Sequence, residues 1–219
     1  GSGGTLPDRL AEGMDAFAVG PGLGQAKPAP ALLAAALDRP VPIVVDADAL
    51  NLLAAAPELA SRVRQRSAPT VLTPHPGEAA RLLASDIATV QADRFAAAAR
   101  LAEDWASLVV LKGAGTVIAR PDGSYAVNAS GGPLLAMAGQ GDVLTGVLAA
   151  RLAQDGDYFR AVQRAVWAHG AAGDRLARSR GPFGVLAGEC ADELPAVWAE
   201  LTADLTEQMP TGSPYADSP

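Results

Sequence analysis

The sequence predicts a layered α/β fold with a largely parallel central sheet. Short apolar segments alternate with longer helical patterns along most of the 219 residues, and helical patterns dominate the C-terminal third. The segments PIVVD and LVVLK are continuous apolar runs, which are typical of strands buried on both faces. No linker or internal repeat is visible, so residues 1–219 are expected to form a single domain.

Six strands and seven helices are expected, in alternation. The strands are predicted at 15–20, 42–46, 70–73, 108–112, 116–120 and 124–128. The last two flank the turn sequence Pro121-Asp122-Gly123, which predicts a β-hairpin. The helices are predicted at 28–37, 57–65, 77–84, 91–105, 142–154, 159–178 and 190–205.

Two further features of the pattern complete the predicted architecture. In the fourth helix, one buried face is indicated by the spacing of Phe95, Ala98, Leu101, Ala102 and Trp105. Residues 207–219 are polar and rich in proline, and we expect them to form a flexible tail.

The charge balance restricts the possible partners. The formal net charge is −7, from 17 Lys and Arg against 24 Asp and Glu, so general binding to nucleic acid or to an anionic membrane is not expected. No apolar run reaches the ~18 residues that a membrane helix requires. Cys190 is the only cysteine, which rules out an intrachain disulfide and favours a reducing, cytoplasmic location.

Glycine-rich or polar segments follow each of the first four predicted strands. They are VGPGLG, DADALN, TPHPGE and KGAGT, in chain order. In open α/β sheets, ligands bind at the carboxyl ends of the strands. The sequence therefore predicts a ligand site at this edge of the sheet.

The segment Gly139-Gln140-Gly141-Asp142 precedes a long helical pattern. Glycines allow close approach of the backbone to a ligand, and the start of a helix offers free N–H groups to an anion. An aspartate there can act as a base on a substrate hydroxyl. Asp142 as a simple helix cap is the alternative, and the motif alone leaves both open.

The segment from Lys112 to Thr116 joins a lysine to exposed loop amides. Lys112 ends an apolar strand and is followed by Gly113, Ala114 and Gly115. Such a group can contact the phosphates or the sugar of a nucleotide. Taken alone, a solvent-exposed lysine at a hairpin corner is the stronger interpretation.

His75 lies between two prolines, which preset its loop just before a helix. It is a candidate substrate contact, with a structural hydrogen bond as the alternative. Glu78, in the first turn of that helix, is either a capping carboxylate or a group that positions Mg²⁺ through water.

Four other side chains receive simpler interpretations. Asp46 and Asp48 follow a strand end. Asp48 is expected to cap a helix, and the position of the segment at the ligand edge makes a role in shaping the site the alternative. Trp167 and His169 lie inside a helical pattern and are expected to serve packing. The Walker phosphate loop, the dinucleotide fingerprint, the G-x-S-x-G elbow and a zinc-ligand pattern are absent from the sequence.

Five ordered segments together resemble one family. VGPGLG, VVDADALNLL, TPHPGEAARLL, LKGAGTVI and GQGDVLTGVLAA are similar to the motifs of the ADP/ATP-dependent NAD(P)H-hydrate dehydratases, members of the ribokinase-like superfamily. The similarity covers roughly residues 14–205. It implies a three-layer α/β/α fold and a repair reaction. In that reaction the S epimer of hydrated NADH or NADPH is dehydrated while ADP or ATP is hydrolysed to AMP or ADP and phosphate.

The resemblance also implies roles for individual residues. Asp142 would be the catalytic base and contact the hydrate, and the anion hole would be formed by Gly139, Gln140 and Gly141. The adenine nucleotide would be contacted by Lys112, Gly113, Ala114, Gly115, Thr116 and Gly141. Gly24 and His75 would contact the hydrated dinucleotide, and Glu78 would position Mg²⁺. A homo-oligomer, in the form of a tetramer, is also implied.

The sequence departs from the family pattern at three places. Family members begin with further strands and a helix, so an N-terminal portion is apparently missing here. Gln140 stands where the family usually has Ser or Thr, and Gly132 where it usually has Asn. Two alternatives therefore stay open: a small-molecule kinase of the same superfamily, acting on a hydroxymethyl group of a vitamin precursor, and an inactive nucleotide-binding module.

Overall fold

The computed structural model describes residues 13–207, with side chains described up to residue 202. The predicted tail at 207–219 lies outside this part of the chain, apart from Glu207 at the end of the last helix. Residue contacts divide the described chain into two compact units. The first comprises residues up to 129 together with 144–166, and the second comprises 130–143 together with the residues from 167 onward. The single domain expected from the sequence stays a prediction.

The first unit contains a six-stranded sheet whose spatial order is the order of the chain. Its strands are β1 (Phe17–Val19), β2 (Ile43–Val45), β3 (Thr70–Leu72), β4 (Leu108–Leu111), β5 (Val117–Ala119) and β6 (Tyr125–Val127). Strands β1 to β4 are parallel, and β5 and β6 form the predicted antiparallel hairpin. The prediction of a largely parallel sheet is therefore confirmed.

Nine α-helices are assigned in the described part of the chain. They are α1 (Ala29–Leu37), α2 (Ala47–Ala55), α3 (Pro57–Gln65), α4 (Pro76–Leu82), α5 (Ile87–Ala92), α6 (Arg94–Asp104), α7 (Gln140–Gln154), α8 (Tyr158–Arg180) and α9 (Ala187–Glu207). A short 3₁₀ helix spans Pro133–Ala136.

Both faces of the sheet are covered, which gives the three-layer α/β fold. One face packs its apolar side chains, including Ile43, Leu72 and Leu111, against residues of α1, α2, α3, α4 and α6. The opposite face presents Val44 and Val110, which are completely buried as well. Continuous apolar strands such as PIVVD and LVVLK are explained by this double burial.

Helix assignment corrects the sequence prediction at three places. A helix after Asp48 was implied by its interpretation as a cap, but no bounds were predicted for α2; α5 was not expected as a separate helix. The predicted helix 91–105 is interrupted by Asp93, whose carboxylate accepts a hydrogen bond from the Ala96 N–H at 2.9 Å and caps α6.

Phe95 does not belong to the buried face of α6, contrary to the prediction. Its side chain is 51% exposed and packs against Tyr125 of the edge strand β6, with ring centroids 5.4 Å apart. The other members of that predicted face, including Leu101 and Trp105, are buried. Phe95 thus follows the helical period but reaches an edge-strand ring instead of the core.

The second unit has an apolar core of its own. Its buried members include Leu134, Leu176, Cys190 and Val197, contributed by the 3₁₀ helix, α8 and α9. Helices α7 and α8 each begin in one unit and end in the other. None of the helices described is long and apolar enough to cross a membrane.

Candidate functional site

The parallel pairing of β1 to β4 places the carboxyl ends of these strands at one edge of the sheet in the first unit. The four polar segments singled out in the sequence follow these strand ends. One contact already links two of them, because the Gly24 N–H donates a hydrogen bond to Asp48 Oδ2 at 2.9 Å. This contact corrects the interpretation of Asp48 as a cap: the N-cap position of α2 is Asp46.

Asp46 is a buried carboxylate with two partners from distant parts of the chain. Although it occupies the N-cap position of α2, its side chain makes no capping hydrogen bond. Its Oδ1 lies 2.7 Å from Lys112 Nζ, and its Oδ2 accepts a hydrogen bond from Thr145 Oγ1 at 2.9 Å. The carboxylate is thereby paired and hydrogen-bonded, as a buried charge must be. Lys112 is consequently not the solvent-exposed lysine that its local sequence favoured.

The loop after Lys112 is hydrogen-bonded by the side chain of Arg94, a residue to which the sequence analysis assigned no role. Arg94 Nη2 donates to the backbone carbonyl oxygens of Leu111 (3.0 Å), Lys112 (3.4 Å) and Gly115 (3.4 Å). Partial burial lowers the pKa of the Arg94 guanidinium from its ordinary value. Within the loop, Thr116 Oγ1 donates to the Gly113 carbonyl oxygen at 3.0 Å. The predicted nucleotide loop therefore has a defined backbone conformation. Its first amide, that of Lys112, already donates to the Pro74 carbonyl oxygen at 2.9 Å.

His75 and Glu78 form a capping box at the start of α4. His75 Nδ1 accepts hydrogen bonds from the N–H groups of Gly77 (3.0 Å) and Glu78 (3.4 Å). In return, Glu78 Oε2 accepts from the His75 N–H at 2.8 Å. The imidazole nevertheless stays about half exposed, so its outer edge can still meet a ligand.

The hydrogen bonds of the Glu78 carboxylate limit how it could bind a metal ion. Its Oε2 is used by the His75 N–H, and its Oε1 lies 3.4 Å from His75 Nε2. Among the side chains that the structure describes, those of residues 13–202, no group of three His, Cys, Asp or Glu could hold a metal. Direct coordination of a cation by Glu78 would compete with the cap, whereas a contact through water is compatible with it.

In the second unit, α7 begins at Gln140, two residues earlier than predicted. Asp142 is therefore the third residue of the helix, and the interpretation of Asp142 as its N-cap is wrong. The first helical hydrogen bond runs from the Val143 N–H to the Gly139 carbonyl oxygen at 3.2 Å. The amides of Gly141 and Asp142 precede it and have no helical acceptor, and the Asp142 side chain is exposed beside them. Gly139 adopts a φ of +85°, a conformation that glycine provides at no steric cost.

The side chain of Gln140 is buried, although the residue lies in the predicted anion hole. Its side chain is 2% exposed, and its Oε1 lies 3.2 Å from Nε2 of the buried His169. Burial lowers the pKa of His169 to about 4, against a weaker opposing interaction with the Gln140 backbone, so the ring is neutral at neutral pH. His169 is buried as expected, whereas Trp167, also assigned to packing, is 39% exposed.

The only cysteine is not a catalytic candidate. Cys190 is buried, and burial, together with the charge of Glu193, raises the pKa of its thiol to about 11. A thiol with such a pKa is inert near neutral pH. Any nucleophile or base of the site must therefore be an oxygen or nitrogen group.

The predicted site residues thus fall into two sets. The first unit brings Lys112 together with Asp46, and His75 together with Glu78. The second unit contains the glycine turn and Asp142. The sequence analysis assigned no role to Arg94 or Thr145. Thr145 lies within the segment GQGDVLTGVLAA, but nothing local shows that its hydroxyl meets Asp46, and Arg94 lies in no recognisable motif.

Comparison with known proteins relates these features to one family. A family model described as NAD(P)H-hydrate dehydratase matches residues 5–196 of the chain. The ADP-dependent (S)-NAD(P)H-hydrate dehydratase of Neisseria meningitidis serogroup B is 45% identical over 189 residues, which are 84% of this chain and 64% of the relative. The bifunctional NAD(P)H-hydrate repair enzyme Nnr of Moorella thermoacetica is 44% identical over 208 residues, which are 94% of this chain and 38% of the relative. The chain therefore spans less than two thirds of the length of either relative.

Solved structures give the same relationship. The ADP/ATP-dependent NAD(P)H-hydrate dehydratase from Bacillus subtilis, co-crystallised with ATP/Mg²⁺ and soaked with CoA, matches with a TM-score of 0.77 and 34% identity. The match covers 86% of this chain and 67% of that one. A hydroxyethylthiazole kinase from Pyrococcus horikoshii matches with a TM-score of 0.68 at 16% identity, which shows the ribokinase-like fold alone. With the family model matching most of its length, the chain belongs to the NAD(P)H-hydrate dehydratase family.

Proposed function

We propose that this protein dehydrates the S epimer of hydrated NADH or NADPH, and that it uses ADP or ATP as the co-substrate. The observation that carries the proposal is the start of α7. It offers two open amides, those of Gly141 and Asp142, and the exposed Asp142 carboxylate in a single helical turn. The names of the relatives support the same activity.

The chemistry requires a better leaving group than hydroxide. Asp142 takes the proton of the hydrate's hydroxyl, and the hydroxyl oxygen then attacks the terminal phosphorus of the nucleotide. The bond to the remaining nucleotide breaks, which leaves AMP or ADP. The nitrogen lone pair of the ring then expels phosphate, and loss of a proton from the adjacent carbon restores the reduced nicotinamide.

Each motif has a role in this sequence of steps. The turn formed by Gly139, Gln140 and Gly141 directs the open amides of Gly141 and Asp142 toward the transferring phosphoryl group. Residues 112–116 contact the nucleotide, and the ammonium of Lys112 is held at the strand end by Asp46. Gly24 and the exposed edge of His75 contact the hydrated dinucleotide.

Magnesium accompanies the nucleotide in this proposal. The phosphate oxygens would hold most of the cation's coordination shell, and Glu78 would reach it through water, because the capping box already uses Oε2. When bound, the cation supplies positive charge to the transferring phosphoryl group. The ATP/Mg²⁺ co-crystal of the Bacillus subtilis relative supports this assignment.

The test is a rise in absorbance at the reduced-nicotinamide band. The protein is mixed with hydrated NADPH, Mg²⁺ and either ADP or ATP, beside the Asp142→Asn variant. We expect a rise that requires nucleotide and is abolished by Asp142→Asn, while Asp192→Asn, a change at an exposed carboxylate of α9 in the same unit, leaves the rate unchanged. Absence of a rise from protein that folds and binds nucleotide would refute the proposal and favour an inactive nucleotide-binding module.

A small-molecule kinase is the second candidate, favoured by the shared fold of the hydroxyethylthiazole kinase. A kinase would release a phosphorylated product and produce no absorbance change with the hydrate. Product analysis by phosphorus NMR in the same mixture separates the two, because the dehydratase releases inorganic phosphate.

The assembly and the location of the protein remain proposals as well. We propose a homo-oligomer, with a tetramer as the expected form, in a cytoplasmic location. The exposed apolar pair Phe95 and Tyr125 supports an interface on the edge-strand side of the first unit. Light scattering coupled to gel filtration measures the assembly directly.

A further inference from the structure

Residues 130–138 lead to the glycine turn at Gly139–Gly141. They contact the part of α8 from Trp167 onward, which belongs to the second unit as they do. Ser130 Oγ donates a hydrogen bond to the Trp167 carbonyl oxygen at 2.9 Å. One residue later, the Gly131 N–H donates to Asp174 Oδ2, also at 2.9 Å. Trp167 and Asp174 are seven residues apart, so they lie on one face of α8. This face fixes the beginning of the segment.

Close backbone packing adds to these two hydrogen bonds. A Cβ atom on Gly170 would lie 2.1 Å from Ser130 Oγ and 2.7 Å from the Ser130 carbonyl carbon. The second of these atoms belongs to the backbone and cannot give way, so the approach requires glycine at position 170. The segment therefore lies directly against the α8 backbone.

The end of the segment is held by a different kind of contact. His169, on α8, pairs with the side chain of Gln140 at 3.2 Å, and both side chains are buried. Gln140 lies between Gly139 and Gly141, the two residues that restrain the backbone least. A tether at Gln140 therefore acts where the turn would otherwise have the most freedom.

The Gln140–His169 contact leaves part of the amide unsatisfied. Gln140 Nε2 is buried and has no hydrogen-bond partner among the residues that the structure describes. Either orientation of the amide leaves one of its two polar atoms unpaired, because His169 offers a single ring nitrogen to it. A buried unpaired polar group destabilises the fold, so packing alone does not account for a glutamine at this position.

We propose that His169 is a positioning residue for the anion-binding turn and acts on it through Gln140. The inference rests on the proposed function, since it deepens the role of the Gly139–Gly141 turn. The neutral ring binds the end of the Gln140 side chain and thereby fixes the orientation of the Gly141 and Asp142 amides. A purely structural pair would instead affect only the fraction of molecules that is folded.

The first test compares three variants in the dehydration assay. His169→Leu removes the hydrogen bond, His169→Gln keeps an uncharged amide where the ring nitrogen lies, and Leu176→Ala weakens the core of the same unit on the same helix. For folded protein, we expect His169→Leu to lower kcat roughly ten- to a hundredfold, with the KM for nucleotide changed less than about threefold. His169→Gln should restore most of kcat, and Leu176→Ala should lower the thermal midpoint with kcat near that of the wild type.

The inference is overturned if His169→Leu keeps the wild-type kcat. It is equally overturned if Leu176→Ala reduces kcat as much as His169→Leu does, because the loss would then reflect weakened packing.

A second readout does not depend on turnover. The chain has two histidines, so the ring ¹⁵N signals of His169 can be assigned with a His75→Asn variant. Addition of ADP with Mg²⁺ should shift the His169 Nε2 signal in the wild type, and Gln140→Leu should abolish that shift. A wild type that binds ADP without any change at His169 overturns the inference. If the wild type shows the shift but no dehydration, the proposed function fails and the positioning of the turn by His169 stands.

Discussion

The carboxylate of Asp46 lies 2.7 Å from the ammonium of Lys112, although 66 positions separate the two residues in the chain. Asp46 follows β2 and Lys112 follows β4, so the pair bridges the end of the intervening strand β3. Thr145 of α7 occupies the second oxygen of the same carboxylate. This contact fixes the position of the lysine on which the proposed nucleotide site depends.

Lys112→Met should destabilise the protein strongly. The substitution leaves the carboxylate of Asp46, which is 2% exposed, without its counter-charge. Removing one partner of a buried pair costs about 3–5 kcal/mol, and the partial exposure of Lys112 places our expectation near 3 kcal/mol. Urea unfolding monitored by circular dichroism measures the loss.

The exposed pair Arg62–Asp38 is the matched control for this prediction. Asp38→Asn should change the free energy of unfolding by less than about 1 kcal/mol, because solvent screens that pair. The double variant Asp46→Asn/Lys112→Met should recover part of the stability lost in Lys112→Met. Equal losses from Asp38→Asn and Lys112→Met would contradict the assignment.

Arg94→Ala should weaken nucleotide binding. The guanidinium holds three carbonyl oxygens of the strand end and loop at residues 111–115, so its removal lets the loop amides move. We expect the Kd for ADP or ATP to rise by roughly tenfold, which corresponds to about 1.4 kcal/mol. Isothermal titration calorimetry measures it. Arg100→Ala, which breaks an exposed ion pair on the same helix, should leave the Kd unchanged, and a comparable rise there would argue against the loop mechanism.

Glu78→Gln separates the capping role from the metal role. Glutamine can accept the hydrogen bond from the His75 N–H, so the free energy of unfolding should change by less than about 0.5 kcal/mol. The lost charge should raise the Mg²⁺ concentration needed for half-maximal nucleotide binding by roughly threefold, as expected for a contact through water. An unchanged Mg²⁺ requirement would contradict the metal role and show that Glu78 serves only to cap α4.

His169 should make stability depend on pH. The folded state holds its pKa near 4, below the ordinary value of 6.5, so the unfolded chain binds more protons between these values. Stability is therefore full above pH 6.5 and falls as the pH drops toward 4, by up to about 3 kcal/mol. Unfolding free energies at pH 7, 6 and 5 for wild type and His169→Gln isolate this contribution. If the two proteins lose stability in parallel, the buried ring is not its source.

Local sequence patterns predicted the sheet and its hairpin because doubly buried strands and turn sequences leave a short-range signal. The apolar runs at β2 and β4 and the turn at Pro121-Asp122-Gly123 are examples. The same reasoning found the segments at the strand ends, since open α/β sheets place ligands there. A helix after β2 was indicated only by the expected cap at Asp48. The polar residues at its start resemble a loop and left its bounds undefined.

The long-range polar contacts could not be predicted from local patterns. Asp46 meets Thr145 across 99 positions, and Arg94 meets Gly115 across 21. No periodicity encodes which carboxylate a lysine will face, because that depends on the register of neighbouring strands. The burial of Gln140 was not predicted either. A glutamine between two glycines resembles an exposed turn, and its partner His169 lies 29 positions away in the chain.

The chain-order arrangement of the six strands has a consequence for how the protein is made. Each strand after β1 pairs with the strand that precedes it, so the sheet can grow by addition at one edge while the ribosome is still delivering the chain. Asp46 emerges long before Lys112 and Thr145, and its carboxylate must stay hydrated until both arrive. We therefore expect the surroundings of Asp46 to become fully dry only after α7 has been synthesised, because Thr145 of that helix completes the hydrogen bonding of the buried carboxylate.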